Sequence, residues 1–123
     1  MNELELALKT SGGILKTARC RHLRHQIARA LHSGALIRPF PGVVVAPDLA
    51  QLPETRALAA ACWQPNAVLM GDAAALLTFL PNQPLRRLEL AGRPPGTIPT
   101  DVRFRRLAVP AELRIVTDQA QLT

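Results

Sequence analysis

Tyrosine is absent from this chain, and aromatic residues make up only 3% of it. Proteins that read single-stranded nucleic acid stack bases on aromatic side chains, so this composition points away from that class. Cysteine is almost as scarce, with Cys20 and Cys62 each alone in an apolar or basic context. They form no disulfide framework, and free thiols fit a reducing cytoplasm, the location expected here. Cys20, His22 and His25 lie close together, yet no second ligand pair stands at structural-zinc spacing, so no metal and no other cofactor is expected. No apolar run reaches the roughly 18 residues of a membrane span, and the acidic start MNELEL lacks the basic flank of a signal peptide. A membrane partner is therefore not expected.

Acidic residues are missing from one stretch in particular. Residues 6–47 hold seven Lys and Arg and no Asp or Glu, while the rest of the chain sets eight Arg against nine acids. All of the net charge of +6 thus belongs to the N-terminal part, the electrostatic footprint of a surface that meets phosphate. In a chain with 13 Arg and 2 Lys, a solvated basic face would explain the charge run by itself. Its place within an ordered pattern of elements favours the functional explanation.

Sets of catalytic residues are also lacking. A nuclease of the Pro-Asp, Glu-x-Lys type needs paired carboxylates and a lysine about a metal, but Pro47-Asp48 is followed only by Glu89-Leu90-Ala91. No Ser-His-Asp or Cys-His arrangement and no glycine-rich phosphate loop is present, so the chain is not expected to be an enzyme. Asp72 reads as a helix cap.

What is present is ample apolar material, 48% of 123 residues, in which Leu, Ala and Val must fill the core. The length suits a module of about 45 residues leaning on one of about 70. The expected division is a DNA-binding domain over 1–46, a linker over 47–53, and a small α/β module over 54–123. Asn2 to Thr10 reads as a helix with Asn2 as its cap, Ile14-Leu15 as an extended piece able to pair with a later hairpin, and Thr17 as the cap of a short helix to about His22. RHQIARALHSG then forms the clearest helix: Ile27 and Leu31 share one face, His25, Arg29 and His32 the other, and Gly34 ends it. Leu36-Ile37-Arg38, a turn with Pro41-Gly42 at its centre, and VVV make a hairpin. Helix, short helix, basic helix and hairpin follow one another as in a winged helix-turn-helix, whose ligand is duplex DNA.

Downstream, the sequence predicts a helix over Glu54 to Trp63 with Leu58, Ala61 and Cys62 at core spacing, a strand over Ala67 to Met70, and a helix from Gly71-Asp72 through Leu80 to Pro81. Leu88 to Leu90, Val102 to Leu107 and Leu113 to Val116 read as strands. Arg103 and Arg105 share one strand face, with Glu89, Asp101 and Glu112 near enough to neutralise them. TDQAQLT reads as a polar tail with no closing element, giving an α+β chain truncated at its C-terminus.

Gly13-Ile14-Leu15, the run from Arg24 to Gly34, the basic strand Leu36-Ile37-Arg38 with Pro41-Gly42-Val43, and AVLMGDAAALLTFL together resemble the AbiEi-type antitoxin family of type IV toxin-antitoxin systems. The resemblance covers most of the chain. It departs from the family where Met70-Gly71 and Thr78-Phe79 replace a Ser-His and a His-Gly, and where Arg21 and Leu23 replace the Gly and Ser before the third helix. It implies a winged helix-turn-helix that binds operator DNA and represses its own operon, a following region that counters a nucleotidyltransferase toxin, and a missing C-terminal part.

On this reading His25, Gln26 and Arg29 face base edges in the major groove, Gln suiting adenine and Arg guanine. Lys16, Arg19, Arg24 and His32 grip phosphates, and Arg38 with the hairpin near Pro39 and Phe40 lies along the backbone or in the minor groove. The competing expectation is a DNA-anchoring or protein-interaction module of a larger protein whose effector domain, nuclease-like in some relatives, is separate.

Overall fold

A computed structural model of the chain describes residues 3–78, 85–106, 108–110, 114–116 and 120–122. Among them it is a mixed α+β fold with five α-helices and two β-sheets. In chain order these are α1 (Glu3–Thr10), β1 (Ile14–Lys16), the 3₁₀ turns Thr17–Arg19 and Arg21–Leu23, α2 (Arg24–Ser33), β2 (Ile37–Phe40), β3 (Val43–Val45), α3 (Pro47–Ala50) and α4 (Pro53–Trp63). There follow β4 (Val68–Met70), α5 (Gly71–Thr78), β5 (Leu88–Ala91), β6 (Val102–Arg105), β7 (Ile115–Val116) and β8 (Gln121–Leu122). No helix among the described residues is long and apolar enough to cross a membrane.

The first sheet is antiparallel, in the order β1-β3-β2. Its central strand is three valines, Val43, Val44 and Val45, each 0% exposed. Side chains alternate across a strand, so complete burial of all three requires cover on both faces. Val44, with Leu15, packs toward Leu4, Leu23, Ile27 and Leu36 of the α1 and α2 side. Val43 and Val45, with Ile14 and Phe40, pack toward α4. There Phe40 stacks on Trp63 with ring centroids 5.1 Å apart. The core of residues 1–46 is thereby continuous with that of the following module.

Alanine is a strong helix former and small enough to bring a helix axis close to a sheet. Accordingly Ala57, Ala59, Ala60 and Ala61 are buried in α4 together with Trp63. Leu58 and Cys62, expected in the core with Ala61, are only half-buried. With Ala61 they line a groove on the β1 side of the helix.

The second sheet runs β6-β5-β4-β8-β7. β5 is antiparallel to β4 and parallel to β6, which brings Ala91 opposite Arg105. The C-terminal tail, read as having no closing element, instead holds β8, which pairs in parallel with β4 through Leu69 and Leu122. Leu122 is 0% exposed, and this burial draws a polar-looking segment into the sheet. Arg105 donates from Nε to Glu89 at 3.0 Å, as expected, whereas Asp101, expected to offset Arg103 and Arg105, pairs with Arg56 of α4.

Two further readings change. Thr17 caps no α-helix: its N–H (2.9 Å) and its hydroxyl (3.3 Å) both donate to the Gly42 carbonyl at the hairpin turn. With Thr17 so engaged and no side-chain cap at either start, residues 17–23 form two 3₁₀ turns separated at Cys20. The stretch expected as a linker carries α3, with Pro47 at its first position and the Ala46 carbonyl accepting N–H groups from Leu49 and Ala50. Asn2, Phe79 to Pro81, Leu107, Glu112 and Leu113 lie outside the described residues.

Because β3 is shared, damage on one face should be felt across the other. Val44→Ala, which removes about two methylene equivalents and leaves a void on the α1 and α2 side, is expected to cost about 2 kcal/mol. Trp63, on the opposite side of the sheet, reports this by fluorescence in urea. A shifted midpoint that matches loss of α2 amide protection is the expected result, and an unmoved Trp63 transition would show that the two sides unfold separately.

Candidate nucleic-acid interface

The basic helix α2 is held by one face and both ends. Leu23 is 1% exposed and Ile27 4%, and these two anchor it against Val44 and Leu36. Its C-terminus closes on Gly34, whose φ of +84° is the left-handed conformation that glycine adopts without a Cβ penalty. The Gly34 N–H donates to the Leu31 carbonyl at 3.3 Å, and the Leu36 N–H reaches back to Ala30 at 3.1 Å. Ser33 adds its hydroxyl to the same Ala30 carbonyl. At the N-terminus no side chain caps the helix and its first turn contains no acid, so the partial positive charge of its free N–H groups is uncompensated by a carboxylate of the helix itself.

On the side away from Ile27, His25, Arg29 and His32 are exposed at spacings of four and three, with Arg24 exposed at the start of the helix. His25, Arg29 and His32 share this face, while Arg24 is turned toward the flank of the helix nearer Ile27. Gln26 is half-buried and turned into a groove between α1 and α2, where it lies with Leu4, Glu5 and Leu8. Arg29 and Glu5 both line that groove. Nothing in the periodicity of α2 could have signalled Glu5, because it belongs to another helix. Arg21 and His22 are exposed in the turn just before α2 and extend its basic surface. They were omitted from the expected contacts although the acid-free run contains them.

Lys16 and Arg19 are not brought to this face. Lys16 pairs with Val43 and shares the strand parity of Ile14, so it belongs to the α4 side of the sheet, opposite the side that α2 covers. With Arg19 it lines the groove containing Leu58 and Cys62. Burial pushes the Cys62 thiol above its ordinary pKa, and the positive charges of Lys16 and Arg19 pull partly against that rise.

The hairpin differs from expectation at its tip. Arg38 is exposed on the edge strand β2, and between Ile37 and Phe40 the register shifts by one residue. Pro39, which has no N–H to offer the ladder, lies within that bulge. Phe40, expected near the contact surface, is 2% exposed and stacked on Trp63, because pairing with Val43 aims it at α4. The exposed tip is Pro41-Gly42, and its carbonyl is held by Thr17. Among the described residues no three His, Cys, Asp or Glu side chains converge as a metal site would require.

The position of Lys16 is testable through Cys62. In a Cys20→Ser background, the rate of Cys62 alkylation by iodoacetamide should rise with pH about a midpoint higher than that of free cysteine. Lys16→Ala should raise the midpoint again, since a cation that favours the thiolate has been removed. No response to Lys16→Ala would place the ammonium elsewhere. Comparison with protein-family models, curated proteins and solved structures gives no match to this chain.

Proposed function

We propose that the chain binds double-stranded DNA in a sequence-specific manner, with residues 1–46 acting as a winged helix-turn-helix and α2 entering the major groove. The observation that carries this reading is the outer face of α2, where His25, Arg29 and His32 are exposed, with Arg24 exposed at the start of the same helix, which is fixed by Leu23, Ile27 and Gly34. It lies within a stretch, residues 6–47, that contains no acid. Arg29 and His25 are the groups aimed at base edges, while Arg24 and the exposed Arg21 suit phosphates flanking the groove. Repression of the protein's own operon, and antagonism of a nucleotidyltransferase toxin, rest on the AbiEi-type resemblance of residues 24–34 and the hairpin after them.

The first experiment is fluorescence-anisotropy binding to the DNA upstream of the gene and to a scrambled duplex, over a series of salt concentrations. The expected outcome is preference for the upstream DNA, with affinity falling steeply as salt rises. Arg29→Ala should weaken the specific complex by about 1 to 3 kcal/mol and relax preference at one position. Arg24→Ala should weaken both duplexes alike and lower the salt slope by about one. Equal binding to both duplexes would indicate a nonspecific DNA anchor. Failure to bind at low salt would remove the DNA reading and direct the search to a protein partner for the same face.

A further inference from the structure

Apart from α2, a cleft of about 850 Å³ opens at one edge of the second sheet. β5 and β6 are parallel, so their carboxyl ends reach the same end of the sheet. The chain leaves β5 through Gly92-Arg93-Pro94-Pro95-Gly96 and leaves β6 at Arg106, and both exits line the cleft. The Gly92 N–H donates to the Arg105 carbonyl at 3.0 Å, which ties the two exits together.

Three arginines, Arg93, Arg106 and Arg114, line this cleft, and no Asp or Glu is found among its described lining residues. The carboxylate of Glu89, on the strand that leads into the cleft, is engaged by Arg105. Arg93 and Arg106 are exposed, and neither has a hydrogen-bond or ion-pair partner among the described residues. Arg114, by contrast, is half-buried and braced. Its Nε donates to the Val109 carbonyl at 2.7 Å and its Nη1 to Gln121 Oε1 at 3.2 Å, while Gln121 Nε2 donates to the Pro65 carbonyl at 3.0 Å. A guanidinium has about five N–H donors, so a braced arginine still has several to give.

We infer that this cleft binds a small phosphorylated molecule through its phosphate end, with Arg93 and Arg106 pairing with the phosphate oxygens and Arg114 presenting its remaining donors from a fixed position. Several guanidiniums with no carboxylate among the described lining residues suit a ligand of more than one negative charge, and the planar fork of arginine matches phosphate oxygens two at a time. The cleft is open to solvent and has room for a small molecule. Its apolar lining, including Val68, Ala91 and Val109, offers no aromatic platform for a base, so phosphate is the recognised feature.

The test is calorimetric titration of the full chain with inorganic pyrophosphate at low salt. Wild type should bind, and Arg93→Gln combined with Arg106→Gln should weaken binding by about tenfold or more, the size of one lost charge-assisted hydrogen bond. Neither side chain has a partner among the described residues, so the double variant should keep the wild-type Trp63 fluorescence and urea midpoint. Arg87→Gln removes an equal charge from an exposed position outside the cleft and should leave pyrophosphate binding unchanged. Absence of binding by wild type, an undiminished affinity in the double variant, or an equal loss in Arg87→Gln would overturn the assignment. Displacement of pyrophosphate by a scrambled duplex, with the duplex itself losing affinity in the double variant, would assign the phosphates to a nucleic-acid backbone and overturn the small-molecule site.

Discussion

Full burial of β3 is the constraint on which the rest depends. A three-residue strand of valine has no polar face to offer water, so the sheet that contains it must be covered twice. α1 and α2 supply one cover and α4 the other. Each cover then explains a feature of composition: α2 needs only a narrow apolar stripe of Leu23, Ile27 and Leu31, leaving its outer face free for basic residues, whereas α4 must press close and is rich in alanine. The stacked pair Phe40 and Trp63 fills the space that alanines leave open.

The same strand divides the basic residues. Their proximity in sequence suggests one surface, but the pleat sends Lys16 to the α4 side while α2 occupies the Leu15 side. The N-terminal charge is therefore spread over more than one face. The exposed cluster on α2 is compact, and Lys16 with Arg19 forms a separate group beside Cys62. The second sheet repeats the pattern, with Arg105 neutralised by Glu89 and other arginines left facing a cleft.

Features set by local chemistry were readable from the sequence. Gly34 ends its helix, Pro41-Gly42 makes the turn, and Ile14-Leu15 joins the hairpin, because glycine geometry and β-branched runs act over a few residues. Features set by distant partners were not. β8 is two residues long and owes its existence to burial of Leu122 beside Leu69, which no periodicity can signal. The side taken by Lys16 depended on which face of β1 the later helices cover. Thr17 was a good cap in sequence, but the Gly42 carbonyl, 25 residues away, claimed its hydroxyl.

That long-range bond from Thr17 has a thermodynamic consequence. It fastens the hairpin turn to the residue following β1, and the first 3₁₀ turn starts from the same point. Helix α2 and the turn are thus placed relative to each other before any ligand arrives. The ordering entropy that disordered segments lose on docking has here already been lost in folding. The proposed DNA contact through this surface would then be rigid-body docking, with a heat-capacity change that reflects only the area covered.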